Sequence, residues 1–259
     1  MRMAIHVSRQ GTVAHVVLAR PEARNAMSVE MVRKLCDVAG ELARDEKLRT
    51  VLISGEGAGF CAGADLKERA TMDDTDVRRH VTLIRQAIRA IEQLPMPTIA
   101  LLHGFAFGGG LELALACDLR YAARETKMGL TETALAILPG AGGTQRLARL
   151  IGPMHAKRLV FSAARLDAKE AMQIGLLTDV ADTKDEMFAC ALELARQIGE
   201  NGPLAVRQAK WAIDQGLSVD LATGLELEWA AYQSLISTSD RLEALRAFRE
   251  KRKPQFEGR

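Results

Sequence analysis

Apolar and polar positions alternate over Ile5–Arg9 and again over Thr12–Leu18, with a break at Gln10-Gly11, which predicts two strands joined as a hairpin. The run Arg20-Pro-Glu-Ala-Arg-Asn25 ends the alternation. Val32, Leu35, Val38, Ala39 and Leu42 then recur at helical spacing, predicting a surface helix from Ser28 to about Asp45. Thr50–Gly55 and Thr98–His103 are short, continuous apolar runs of the kind found in strands covered on both faces. Between them, Ile84–Leu94 has helical periodicity and stops before Pro95, so strand, helix and strand predict a right-handed crossover. A helix over Gly109–Cys117, a strand over Leu119–Ala123 and an extended piece at Lys127–Gly129 continue the series as stacked βαβ turns.

Beyond Gly143 the pattern becomes helical: Thr144–Leu150, Ala156–Phe161, Ala168–Ile174, Asp185–Ile198, Leu204–Asp214, Leu221–Leu235 and Arg241–Arg249. Gly152-Pro153, Gly199, Gly202-Pro203 and Gly216 separate these helices, and no fixed-period repeat runs through them. The expected organisation is an α/β core over residues 1–198 followed by a helical region over 199–259.

The 259 residues carry a formal charge of +2, with 48% hydrophobic, 26% charged and 4% aromatic residues. That balance fits a globular chain and supplies neither the basic field nor the stacking surface of a nucleic-acid binder. The longest apolar candidate for a membrane span, Thr98 to Cys117, is broken by His103, Glu112 and several glycines. The segment Met1 to Val7 reads as a strand rather than an export signal, and a cytoplasmic location is the expectation. Cys36, Cys61, Cys117 and Cys190 form no CxxC pair and have no histidine at metal-ligand spacing, so neither a metal site nor a disulfide framework is expected.

Two glutamates stand beside glycine-rich turns: Glu112 in His103-Gly-Phe-Ala-Phe-Gly-Gly-Gly-Leu-Glu112, and Glu132 ahead of Leu138-Pro-Gly-Ala-Gly-Gly143. Glycine lets the main chain approach a ligand, and a carboxylate in an apolar stretch is costly unless it has a partner or a task. Two such carboxylates can divide acid and base work. Taken singly, each is better explained as a residue near a helix start, and it is the two together with the glycine-rich run Gly55–Asp65 that favour a site. Gly55-Glu-Gly-Ala-Gly-Phe60 and Gly140-Ala-Gly-Gly-Thr-Gln145 both lack the last glycine of a dinucleotide fingerprint, and Gly104–Gly110 lacks the lysine of a P-loop.

Phe60-Cys-Ala-Gly-Ala-Asp-Leu-Lys-Glu68, Gly108-Gly-Gly-Leu-Glu-Leu-Ala-Leu-Ala-Cys-Asp118 and Leu138-Pro-Gly-Ala-Gly-Gly-Thr-Gln-Arg-Leu147 resemble the enoyl-CoA hydratase (crotonase) family. The likeness runs from Arg20-Pro-Glu-Ala-Arg-Asn-Ala26 to the tail Phe248–Gly258. It implies a crotonase-like spiral of ββα turns with a helical C-terminal region that builds homotrimers or dimers of trimers. The implied substrate is an acyl-CoA thioester, so coenzyme A arrives with the substrate and no separate cofactor is needed.

By the resemblance, the amides of Ala64 and Gly109 form an oxyanion hole, Glu112 holds and activates water, Glu132 delivers a proton to the α-carbon, and Gly140 helps to orient the water. Arg24, Ala26, Ala62, Asp65, Leu66 and Lys67 are implied contacts of coenzyme A, and Phe248 and Lys251 are implied to reach the coenzyme of an adjacent subunit. Both glutamates together favour hydration of a 2-enoyl-CoA over isomerisation. The runs Ala62–Ala70 and Lys127–Ala136 are also similar to the branch containing methylglutaconyl-CoA hydratases of leucine breakdown, some members of which bind RNA. The first helix shows Val29, Arg33 and Asp37 along one face rather than a lysine stripe, so nucleic acid is not an expected partner.

Overall fold

The computed structural model describes residues 4–259; residues 1–3 of the expected N-terminal strand lie outside the described residues. Strands β1 (Ile5–Gln10) and β2 (Val13–Leu18) form the hairpin, turning at Gly11 with φ of 59°. Ser28 caps helix α1 (Val29–Ala43) by accepting the Met31 amide, and Met31, Val32, Leu35, Val38, Ala39 and Leu42 form its buried stripe. Strand β3 (Thr50–Gly55) follows, then a single turn α2 (Leu66–Arg69), helix α3 (Asp74–Glu92) and strand β4 (Thr98–Leu102). Next come β5 (Phe105–Phe107), α4 (Gly109–Ala116), β6 (Leu119–Ala123), β7 (Lys127–Gly129) and a 3-10 turn at Glu132–Leu135. The remainder is α5 (Gly143–Phe161), β8 (Leu166–Asp167), α6 (Ala168–Gln173), β9 (Asp179–Ala181), α7 (Lys184–Gly199), α8 (Pro203–Gly216), α9 (Leu221–Ile236) and α10 (Ser239–Glu250).

The main sheet has the order β1-β2-β3-β4-β6-β9 and is parallel except for the opening hairpin; β5, β7 and β8 form a second, smaller sheet. Strands β3 and β4 are buried along their whole length, as their unbroken apolar runs require. The larger core joins one sheet face to α1, α3, α4 and α5, while Val13, Leu52, Ile99, Leu101 and Tyr121 meet Met187, Ala191 and Ala195 of α7 on the other.

Helix α3 begins ten residues before the periodic apolar run Ile84–Leu94. Asp73 caps it by accepting the Asp76 amide, and Asp74, Thr75, Asp76, Arg78 and Arg79 face solvent, which hides this part of the helix from an apolar pattern. The stretch from Glu68 to Val77, which shows no apolar period, is the end of α2, a short connection and the head of α3. The small strands β5, β8 and β9, of two or three residues each, are too short to show a period. In α5, Gly152 adopts φ 79° and ψ 155°, so the anticipated break at Gly152-Pro153 is present as a kink.

Helix α4 is buried at every residue and ends on Arg120. The buried guanidinium donates to Ala114 O at 3.3 Å and Cys117 O at 2.7 Å at the helix C-terminus, and to Leu176 O at 2.9 Å. It satisfies carbonyls that water cannot reach and places positive charge at the negative end of the helix. Replacing Arg120 with Met is expected to cost about 3 kcal/mol of stability, because these acceptors would be left unpaired. Urea unfolding measures the change; Arg124→Met, which removes only an exposed pair with Asp182, is expected to stay within about 0.5 kcal/mol.

Candidate active site

Gly108 and Gly109 open α4 beneath the small sheet. The Gly108 amide donates to Gly129 O at 2.9 Å, which ties the start of α4 to the end of β7 and brings Glu132, three residues farther on, beside it. Gly108 has φ of 50°, and a Cβ there would stand 3.2 Å from Glu132 Oε1, so glycine serves both the turn and the close approach.

Glu112 lies in the first turn of α4 and is 3% exposed. Its Oε1 accepts the Ala141 amide at 2.7 Å and the Gly143 amide at 2.8 Å, so the carboxylate sits on the first amide of α5 and on one from the loop just before it. Burial pushes the Glu112 carboxyl up from its ordinary pKa, and the two amides with the Arg146 charge pull against that rise. Arg146 also fixes the loop: its Nε and terminal nitrogen pair with both oxygens of Glu92 at 2.6 Å, and another nitrogen donates to Ala141 O at 2.8 Å. Gly140 precedes the two amides that hold Glu112 and is exposed.

Glu132 has no comparable support. Its Oε2 is buried without a partner, and burial followed by the charge of Glu112 pushes its pKa up to about 7. The two carboxyls are thus electrically coupled yet differently solvated, one clamped by donors and the other free to exchange a proton near neutrality.

Across from them, Met27 and Ala64 form an isolated parallel bridge. The Met27 amide donates to Gly63 O at 2.8 Å and Met27 O accepts the Asp65 amide at 3.2 Å. Pairing through the residues on either side turns the Ala64 N–H away from Met27. Neither the Ala64 nor the Gly109 amide has an acceptor among the described residues. The two are neighbours: a Cβ built on Gly109 would lie 3.7 Å from Ala64 N, and one on Gly63 would lie 3.2 Å from Gly109 N. Two unpaired donors facing one position, with the N-terminus of α4 behind one of them, can stabilise an oxyanion.

The remaining implied contacts divide into two groups. The Ala62 amide donates to Arg24 O, Arg20 donates to Ala26 O at 2.6 Å, and Arg20 pairs with Asp65 at 3.1 Å, so Arg24, Ala26, Ala62 and Asp65 lie together beside Ala64, with Ala26 and Asp65 buried. Asp65 caps α2 through the Lys67 and Glu68 amides, leaving Leu66 and Lys67 exposed. Phe248, 83% exposed on α10, and Lys251 at the C-cap of that helix belong to the C-terminal region, where the tail amides of Glu257 and Gly258 bind Asp240. Sequence reasoning passed over Arg20, Arg120 and Arg146. The signal available for Arg146 was its place in the first turn of a helix, where a cation opposes the dipole and so implies a partner elsewhere.

A family model described as Enoyl-CoA hydratase/isomerase matches residues 8–259. The mitochondrial methylglutaconyl-CoA hydratase of Mus musculus is 52% identical over 243 residues, covering 92% of this chain and 77% of that protein. The enoyl-CoA isomerase/hydratase fer4 of Mycosarcoma maydis is 46% identical over 256 residues, covering 95% of this chain and 93% of its own. The crystal structure of an enoyl-CoA hydratase from Bacillus anthracis superposes with a TM-score of 0.97 at 46% identity, covering 99% of this chain and 100% of that one.

The raised pKa of Glu132 has a consequence for stability. A folded-state value of about 7 against the ordinary 4.5 means that the protonated carboxyl contributes stability present below pH 4.5 and lost as pH rises through 7. Glu132→Gln is therefore expected to raise the melting temperature by about 2–4 °C above pH 7 and to leave it unchanged below pH 4.5, measured by thermal denaturation across that range.

Proposed function

The chain belongs to the enoyl-CoA hydratase/isomerase family, and from that premise we propose that it adds water reversibly to a 2-trans-enoyl-CoA to give a 3-hydroxyacyl-CoA. The architecture is the crotonase-type α/β spiral with a helical C-terminal region, and the protein is an enzyme of the lyase class. The observation that carries the hydratase reading is the pair of carboxyls at the head of α4, one clamped by two amides and one carrying a buried, unpartnered oxygen.

In this reading the thioester oxygen accepts from the Ala64 and Gly109 amides. Addition at the β-carbon moves electron density onto that oxygen, and donors already in place lower the barrier without reorganising. Glu112, its Oε1 occupied by two amides, keeps the other oxygen for the attacking water. Glu132, with a pKa near neutrality, holds a proton that it can deliver to the α-carbon. Carboxyls working from one side of the bound double bond yield syn addition. Arg24, Ala26, Ala62, Asp65, Leu66 and Lys67 would meet coenzyme A along the surface leading to Ala64.

The substrate reading preferred on the residues alone is a general short-chain enoyl-CoA. The similarity to a methylglutaconyl-CoA hydratase supports a carboxylated, branched alternative within the same chemistry. Assembly into trimers is part of the proposal: Leu221, Trp229, Tyr232 and Phe248 expose more than half of their surface on α9 and α10, an unusual apolar display for a lone subunit. Sedimentation is expected to give three or six times the 28.2 kDa chain mass, and a 28.2 kDa particle would refute assembly.

The decisive assay follows the loss of conjugated enoyl-thioester absorbance. Glu112→Gln and Glu132→Gln are each expected to lower kcat by about 10² or more. The native kcat is expected to change with an ionisation near pH 7 that is absent from Glu132→Gln. Full activity in either variant would overturn the paired-glutamate mechanism.

A further inference from the structure

Met27 is in contact with both of the segments that supply the unpaired amides. Its main chain brackets Ala64: the Met27 amide donates to Gly63 O at 2.8 Å, and its carbonyl accepts the Asp65 amide at 3.2 Å. Its thioether lies against the head of α4, where a Cβ built on Gly109 would stand 3.5 Å from Met27 Sδ. The residue is 2% exposed. Its bridge to Ala64 lies outside any strand, so no continuous ladder shares the work of fixing the register.

A further bond to this residue comes from α3. His80 is 1% exposed, and its Nε2 is 3.0 Å from Met27 O. A carbonyl can only accept, so the ring proton is on Nε2. The buried Nδ1 has no partner, which leaves Met27 O as the single hydrogen-bond partner of the ring among the described residues. Burial, and after it the Arg69 charge, push the His80 pKa down, so the ring stays a neutral donor. The imidazole is carried on a rigid base: His80 heads the buried stripe that continues through Ile84, Ala87, Ile88 and Ile91. Both lone pairs of the Met27 carbonyl are thereby engaged, one by the amide that follows Ala64 and one by α3.

We propose that His80 is a positioning residue for the oxyanion hole, fixing through Met27 the aim of the Ala64 amide and its spacing from the Gly109 amide. The assignment rests on the hydratase reading and deepens it by naming what holds the two donors on one point. The imidazole acts through a carbonyl rather than on the thioester. Such a contact matters because donors stabilise a developing charge only when already in place, and a misplacement of about 1 Å costs roughly 10² in rate.

The test reads the thioester directly. Butyryl-CoA labelled with carbon-13 at the thioester carbon has no double bond to hydrate, and difference infrared spectroscopy of its complex reports how strongly the carbonyl is polarised. The native protein is expected to lower the carbonyl stretching frequency below its value in water. His80→Phe keeps a ring of similar shape without the donor. It is expected to lose about half of that shift and to lower kcat for crotonyl-CoA about 10-fold, with KM changed less than about 2-fold. His80→Gln, whose amide can donate to Met27 O, is expected to recover part of both losses. An undiminished shift in His80→Phe would overturn the assignment whatever happens to kcat, since a lowered rate alone would make the histidine structural. No shift in the native protein would overturn it together with the oxyanion hole. A native shift without hydration of crotonyl-CoA would sink the hydratase reading alone, and the shift in His80→Phe would still decide the role of His80. If that variant does not fold, nitrogen-15 spectra of the native His80 ring decide: a proton on Nε2 supports the assignment and a proton on Nδ1 overturns it.

Discussion

Much of the site depends on one buried carboxylate. Glu112 lies in a helix whose every residue is shielded from water, and an isolated charge there would be prohibitive. Two amides at the start of α5 make it tolerable, and that requirement shapes the segment supplying them. A Cβ on Gly143 would stand 3.0 Å from Glu112 Cγ and 2.9 Å from both Leu130 and Pro139, while Gly142 needs φ of 106° to begin the helix. The bidentate Arg146–Glu92 pair then ties the same loop to the end of α3. Three helices are thereby joined around one carboxylate.

The opposite wall is organised by strand alternation. Because Met27 bonds to Gly63 and Asp65, the amide of Ala64 between them is left facing the site without an acceptor. That orientation follows from the pairing pattern, and His80 reinforces it from α3 by sharing the Met27 carbonyl. Helix α4 closes the arrangement: the unpaired amide of Gly109 is at its positive end and the buried cation of Arg120 at its negative end, only eight helical residues apart. A short helix satisfied at one end and open at the other presents its free donors where a developing anion can use them.

The central strands and most helices were legible because burial imposes a period or an unbroken apolar run. Thr50–Gly55, Thr98–Leu102 and the stripe of α1 are examples. The head of α3 was not, since Asp74–Arg79 is stabilised by its cap and by solvation rather than by an apolar face. Short strands such as β8 depend on partners that are distant in sequence. In the site, the glycine-rich turns and two glutamates stood out as chemistry in an apolar context. Arg20 and Arg146 did not, because a charged residue in a linear sequence reads as a solvated face until the fold shows whether its guanidinium is paired.

The two glutamates show how far residue type underdetermines chemistry. Both are acids beside glycine turns, both resist ionisation through burial, and the charge of Glu112 makes ionising Glu132 more costly. What separates them is the distribution of amide donors. Glu112 receives two, which favour its charged form, whereas Glu132 has a buried oxygen with none. When one proton is shared between such a pair, the less supported carboxyl keeps it and the better supported one stays ionised. The backbone of a loop 29 residues beyond Glu112 thus decides which of two identical side chains more readily holds a proton.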